Sequence, residues 1–339
     1  MSEEKEILIT VPFKQEQINE LQNLAQGSHV RPLVLDKGQA IPEGLWGQAE
    51  ILYALHELPE PEQAPNLRWI QFHFAGIEEH LSAPILRQPN VQATTLSGAN
   101  APQAAEHALA LLLALGHHLP DMLADQTRTE WSAERLRRYL PKELIGSTVG
   151  IIGYGSIGQR LARLLHSFQV TILASKRDLL SPSGEDFQVD GQGDPNAELV
   201  RRLYPSQAVR SMLKECDAVV VTVPLTAETK GLVGAQQLAA LKPGAFLVDV
   251  SRGGVVDHDA LVAALKKGQL AGAGLDVFAE EPLPADSPLW SLPNVIISPH
   301  VAGLSAHYMD RAFTLFKENL RRYLAGEQLL NRIDLDRGY

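Results

Sequence analysis

An α/β protein of two domains, one built on a full doubly wound parallel sheet, is what this sequence predicts. Three observations predict it. Short apolar runs alternate with helical stretches along most of the chain, and Gly153-Tyr154-Gly155-Ser156-Ile157-Gly158 stands between an apolar strand and an amphipathic helix. The third is length, because 339 residues exceed what one core organises comfortably.

The first hundred residues carry apolar runs at Ile7 to Val11, Val34, Ile51 to Ala54, Arg68 to Phe72 and Val91 to Ala93, with a helical stretch from Gln15 to Gln26. They read as parallel α/β units without a phosphate loop. Asn100-Ala101-Pro102 interrupts, and Ala104 to Leu119 follows as a helix apolar on nearly every side. Such a helix needs cover, from another domain or from a second subunit, so a dimer interface is expected near it. From Thr148 the strands recur at Val149–Ile152, Val170–Ala174, Ala218–Val223, Ala245–Val250, Gly272–Asp276 and Val295–Ile297, six in all. Leu179 to Asn196, rich in Gly, Asp, Ser and Pro, reads as an exposed loop, either a surface excursion or a cover for the cofactor. Ser305 to Leu324 has apolar residues at helical spacing and stops at Ala325-Gly326, a closing helix that returns to the first domain.

Bulk properties exclude several classes of function. A net charge of -10 argues against nucleic-acid and anionic-membrane surfaces, which demand a basic face. Anionic ligands must then be met by local cations. The single cysteine, Cys216, rules out an intramolecular disulfide and a cysteine metal cluster, and its place before an apolar strand reads as packing. The acidic start Met1-Ser2-Glu3-Glu4-Lys5-Glu6 is unlike a secretory signal, and the longest apolar stretch, Ala108 to Gly116, is about half a membrane span. A cytoplasmic protein is expected.

A lone glycine pattern is weak evidence, but this one has its strand and its helix. Glycines let a backbone approach a pyrophosphate, whose charge rests on the N-terminus of the helix. Gly153, Gly155, Ser156, Ile157 and Gly158 are therefore assigned to a dinucleotide. The next strand ends in Ser175-Lys176-Arg177, where an acidic residue would hold the ribose of NAD and basic residues accommodate the extra phosphate of NADP. NADP is thus expected in preference to NAD, which stays possible. The other reading of Lys176 and Arg177 is a solvated basic turn. Val223 and Pro224, at the end of the third strand of this domain, complete the expected cofactor contacts. Three further strand ends carry ionisable residues: Arg252 in Ser251-Arg252-Gly253-Gly254, Asp276 and Glu281 in Leu275-Asp276-Val277-Phe278-Ala279-Glu280-Glu281-Pro282, and His300 in Ser298-Pro299-His300. Ligands of open α/β sheets bind at those ends.

These motifs, over about Leu67 to Asp334, resemble the NAD(P)-dependent D-2-hydroxyacid dehydrogenases, a family that includes glyoxylate and hydroxypyruvate reductases and phosphoglycerate dehydrogenases. The resemblance implies a Rossmann domain, residues 102–303, inserted into a flavodoxin-like substrate-binding domain, residues 1–101 plus 304–339. It implies Arg252 as the substrate arginine, His300 as the proton donor and Glu281 as its partner, with Glu280 the rival. It implies that backbone N–H groups of His73-Phe74-Ala75-Gly76, chiefly at Ala75 and Gly76, hold the substrate carboxylate. Asp276 resembles the acceptor for the nicotinamide amide, and Asn100 a residue at the hinge beside that ring. Ser156 departs from the pattern, since many members carry arginine there.

The chemistry expected is hydride transfer between NAD(P)H and a small 2-oxo acid to give a D-2-hydroxy acid. Arg252 binds the carboxylate, His300 supplies the proton and Glu281 orients it, with no metal. Closure of a cleft between the domains would exclude water. Glu106 and His107 read as structural, without partners at a useful spacing, and His117, His118 and His307 are given no role. Phe72, His73 and Phe74 suggest an apolar rim beside the carboxylate loop. The chain's end soon after Asp334 leaves no room for the regulatory domain of some phosphoglycerate dehydrogenases, though that reaction stays open. A nonenzymatic, cofactor-sensing interaction protein on the same scaffold is the other class of function.

Overall fold

The computed structural model describes residues 5–33, 41–179, 187–189 and 193–338. The chain divides into two compact units, one comprising Met1–Ala99, Glu185–Val189 and Ser305–Tyr339, the other Asn100–Gly184 and Asp190–Leu304.

In the first unit, β1 (Lys5–Ile9), β2 (Ser28–Pro32), β3 (Ala49–Ala54), β4 (Trp69–Phe72) and β5 (Gln92–Thr94) pair in parallel in the order β2-β1-β3-β4-β5. That is the flavodoxin-like order. Every residue of β3 and β4 is buried, as a parallel sheet covered on both faces requires. Val34 lies outside the described residues. Helix Gln15–Leu24 begins with the Gln17 side chain accepting from the Lys14 N–H at 2.9 Å and buries Ile18 and Leu21. The closing helix, Tyr308–Ala325, buries Phe313, Phe316 and Leu320 and ends at Gly326, whose φ of +70° suits glycine. Its Phe316 ring sits edge-on to Tyr53 at 4.8 Å and tilted against Trp69 at 5.3 Å.

The second unit holds β6 (Thr148–Ile152), β7 (Thr171–Lys176), β8 (Arg202–Pro205), β9 (Ala218–Val221), β10 (Ala245–Asp249), β11 (Leu270–Leu275) and β12 (Val295–Ile297). All pair in parallel, in the order β12-β11-β10-β9-β6-β7-β8. The doubly wound sheet is therefore present, with seven strands instead of six. β8 escapes sequence reading because it is a four-residue edge strand ending in proline, with only Tyr204 buried. The order reverses between β6 and β9, which puts the glycine loop after β6 at the switch point.

The apolar helix runs Ala101–Gly116 and finds its cover inside its own unit, against helix Ser156–His166, β10 and β11. Glycines in β11 make this approach possible. A Cβ on Gly274 would lie 2.9 Å from the Leu111 Cβ, and one on Gly272 would lie 3.0 Å from Leu115. The buried side of this helix therefore needs no second subunit for its cover. His118, at φ +55°, breaks the helix before a second one over Leu119–Thr127.

The described parts of the 179–196 segment also differ from an exposed loop. The Phe187 N–H donates to Asn331 Oδ1 at 2.7 Å, and its ring packs on the core of the first unit. Asp194 is buried and accepts from the Tyr154 hydroxyl at 2.5 Å and from the N–H groups of Glu198 and Leu199, both at 3.0 Å. A buried carboxylate needs donors, and these tie the segment to the residue inside the glycine loop. Cys216 is buried against Gly150, and burial pushes its thiol up to about 12, which leaves it a packing group. No helix among the described residues is long and apolar enough to cross a membrane.

Gly274→Val should lower stability by about 1–3 kcal/mol, because the added methyl groups strike Leu111. Urea unfolding checks this, and an unchanged midpoint would mean that the helix does not seat on β11 as closely as described.

Candidate active site

β6 delivers the chain into a turn that only glycine accommodates. Gly153 has φ +105°, and a Cβ there would lie 2.7 Å from Val223 Cγ1; one on Gly158 would lie 2.2 Å from the Gly153 carbonyl. At Gly155 a Cβ would meet nothing within 4 Å, so the space before the helix is open. The turn is held from below. The Ser175 carbonyl accepts from the N–H groups of Gly153 and Tyr154 at 3.1 and 3.0 Å, and Thr222 Oγ1 donates to the Gly153 carbonyl at 2.7 Å. The first helical bond runs from the Gln159 N–H to the Gly155 carbonyl at 2.9 Å, so the amides of Ser156, Ile157 and Gly158 precede it. Open space before a row of such amides fits a pyrophosphate.

Ser175 is buried in β7, Lys176 closes that strand half-buried, and Arg177 is exposed just beyond. Val223 and Pro224 follow β9, half-buried, and Thr229 Oγ1 donates to the Pro224 carbonyl at 2.6 Å.

Arg252 is set by a tight bend after β10. The Ser251 N–H and hydroxyl donate to Asp249 Oδ1 at 3.0 and 2.5 Å, and Arg252 Nη1 donates back to the Ser251 carbonyl at 2.8 Å. Gly253 then passes so close to the next loop that a Cβ would lie 1.8 Å from the Phe278 carbonyl oxygen. Backbone touches backbone there, which brings the loop of Arg252 beside the loop of Glu281.

Glu281, which precedes a cis proline, is fixed at both oxygens. Oε1 accepts from the Phe278 N–H at 2.9 Å, and Oε2 pairs with His300 Nδ1 at 2.7 Å. Glu281, and not Glu280, thus meets the histidine. His300 adopts φ +52° and keeps its side chain 46% exposed, while its N–H donates to the Asp276 carbonyl at 2.8 Å. With Nδ1 on Glu281, Nε2 is the nitrogen left to exchange a proton with a ligand.

Asp276 is 1% exposed and works from underneath. Oδ1 accepts from Ser298 Oγ at 2.5 Å and from the Val301 N–H at 3.0 Å, and Oδ2 accepts from the Ala302 N–H at 2.9 Å. His107 Nε2 bonds the same Ser298 hydroxyl at 2.9 Å, so His107 does have a partner, contrary to its sequence reading. Ser298, Asp249 and Ser251 are the positioning residues that sequence reasoning missed. The available signal was position, since all three flank the ionisable strand ends. Asn100 stands immediately before helix Ala101–Gly116, and a Cβ on Gly303 would come within 3.2 Å of its amide nitrogen.

Ala75 and Gly76 belong to the first unit, beyond β4. The expected apolar rim is reduced there to one residue, for Phe72 and His73 are buried and only Phe74 is exposed. His73 lies under Tyr53, whose hydroxyl bonds its Nδ1 at 2.9 Å; burial, with His56 nearby, pushes its imidazole down to about 4. It is a neutral core histidine.

Known proteins resemble this chain along most of its length. The family model described as "D-isomer specific 2-hydroxyacid dehydrogenase, NAD binding domain" matches residues 109–302. A glyoxylate reductase of Pyrococcus furiosus is 33% identical over 270 residues, covering 78% of this chain and 75% of that protein. A D-3-phosphoglycerate dehydrogenase of Methanocaldococcus jannaschii is 33% identical over 254 residues, 73% of this chain but only 45% of that protein. Among solved structures, a D-isomer specific 2-hydroxyacid dehydrogenase from Xanthobacter autotrophicus Py2, in complex with NADPH and MES, covers all of both chains at 29% identity and a TM-score of 0.78.

Proposed function

The chain belongs to the D-isomer specific 2-hydroxyacid dehydrogenases, NAD(P)-dependent oxidoreductases, and from that premise we propose that it reduces a small 2-oxo acid of the glyoxylate and hydroxypyruvate class with NADPH. The observation that carries the reading is the His300–Glu281 pair at 2.7 Å, on loops that Gly253 and Asp276 bring beside Arg252. A bound nicotinamide supplies the hydride that C2 of the substrate receives. Arg252 holds the substrate carboxylate, a charge-assisted contact worth about 1.5–3 kcal/mol. His300 gives its Nε2 proton to the carbonyl oxygen as negative charge grows there, and Glu281 keeps the ring aimed through Nδ1. The N–H groups of Ala75 and Gly76 are proposed as further carboxylate donors, and Asn100 and Asp276 as neighbours of the nicotinamide. Glyoxylate reductases of 33% and 35% identity, each matched over about three quarters of its length, support the small-substrate reading over the phosphoglycerate one.

NADP preference rests on Lys176 and Arg177 at the end of β7, and the NADPH held by the Xanthobacter relative supports it. We also propose a homodimer, through a surface that follows the apolar helix. Leu123, Trp131, Leu136 and Leu140 are 61%, 84%, 81% and 69% exposed, more large apolar surface in one segment than scattered residues leave on a monomer. A second copy presents the same residues, as a two-fold interface requires.

A panel of 2-oxo acids assayed with NADPH and NADH by nicotinamide absorbance tests the reaction. Glyoxylate or hydroxypyruvate should turn over, and His300→Ala should cost about 10²–10⁴ in kcat. Cofactor binding with no turnover of any 2-oxo acid would favour the nonenzymatic alternative. Replacing Lys176 by Asp and Arg177 by Ala should shift the ratio of kcat/KM values from NADPH towards NADH; an unchanged ratio removes the NADP assignment. Light scattering should find a dimer that Trp131→Glu with Leu136→Glu converts to monomer, and a wild-type monomer would sink the interface.

A further inference from the structure

Two buried carboxylates sit at neighbouring strand ends beneath the reactive loops, and they are unequally provided for. Asp276 meets three donors. The carboxyl group of Asp249, fully buried at the end of β10, accepts among the described residues only from Ser251, and only at Oδ1. Its Oδ2 is buried with no hydrogen-bond partner among the described residues. The Asp276 N–H donates to the Asp249 carbonyl at 2.9 Å, so the two acids share one ladder step. The side chains beside Asp249 on its own face of the sheet are apolar: Val221 and Leu275, its partners in the neighbouring strands, are fully buried. An ionised carboxylate with a bare oxygen is very costly in such a place, and a proton removes most of that cost.

We propose that Asp249 is a proton-carrying positioning residue, a neutral carboxylic acid that holds the Arg252 bend through Ser251 and makes the fold less stable on losing its proton. Arg252 as the substrate-binding group gives the bend its importance, but the effect on stability does not rest on that role. Burial pushes the Asp249 carboxyl up to about 7; the Ser251 bonds pull it down and the Asp276 charge adds to the rise. The groups on the packed elements are few. β9 contributes Ala218–Val221, with no titratable side chain, and β11 contributes the strand end at Asp276. On Asp249's own face the apolar cluster continues into Leu261 and Leu265 of helix His258–Lys266, which bears His258, its imidazole held low by burial; helix Ala101–Gly116, on the other face, contributes exposed Glu106 and half-buried His107, whose Nε2 lies 3.6 Å from Asp276 Oδ1. Arg252 follows in the bend itself.

The sign of the pH effect follows from the raised value. The unfolded chain releases this proton near 3.8 and the folded chain near 7. The contribution is therefore fully present below the lower value, falls as pH rises through the window, and is flat above it. Asparagine has the shape of the neutral acid and cannot titrate. Urea unfolding of the wild-type chain and of Asp249→Asn, in parallel across pH, is the test. The two should be nearly equal at the acidic end, and the variant should gain steadily to about a hundredfold or more in folding constant at neutral pH, then hold constant. A stability difference independent of pH, or a variant weaker than wild type at neutral pH, overturns the proposal. If the variant fails to fold, the infrared carbonyl band of a protonated acid in the wild-type chain decides, since it must be present below the titration and vanish above it. Because unfolding needs no substrate, a failed activity panel and a failed protonation test are distinguishable.

Discussion

The buried carboxylate of Asp276 is what the rest of the site depends on. Three hydrogen bonds from the 298–302 segment converge on it, and its own carbonyl holds the His300 N–H. These bonds act together to hold a histidine at positive φ without freezing its exposed ring. A strand end thus becomes a mount. The same device recurs one strand away, where Asp249 bends the chain through Ser251 and aims Arg252.

Alignment of those mounts comes from glycine, not from charge. At Gly253 the loops after β10 and β11 touch through their backbones, and at Gly274 and Gly272 the apolar helix settles onto β11. Both contacts sit on the same strand pair, so displacing one would be felt at the other through a close-packed interior that transmits small shifts. The hydrogen-bonded pair Glu281 and His300 is itself exposed; its precision is borrowed from what lies beneath.

Much of this was legible before the structure. Periodicity placed every strand of both sheets but β2 and β8 to within a residue or two, because parallel strands buried on both faces must be continuously apolar, whereas β2, Ser28–Pro32, buries only Val30. β8 was not legible, since Arg202-Leu203-Tyr204-Pro205 buries one side chain at a sheet edge and ends in proline. The segment before it misled for a related reason. Its composition is that of a loop, yet Asp194 and Phe187 are anchored by bonds from Tyr154 and to Asn331, each distant in sequence. Phe72 and His73 looked like a ligand rim because alternation cannot say which face of a strand is covered when both are.

The sequence by itself determined most of the sheet-forming segments, the glycine turn and the ionisable residues at three successive strand ends, because each depends on a local pattern. Tertiary structure alone decided which glutamate meets His300, which acids are buried under the site, and where the helix Ala101–Gly116 finds its cover. Those are matters of distance between segments far apart in the chain. Glu280 and Glu281 are alike as letters, but only Glu281 has its carboxylate held by Phe278 at the height of the imidazole.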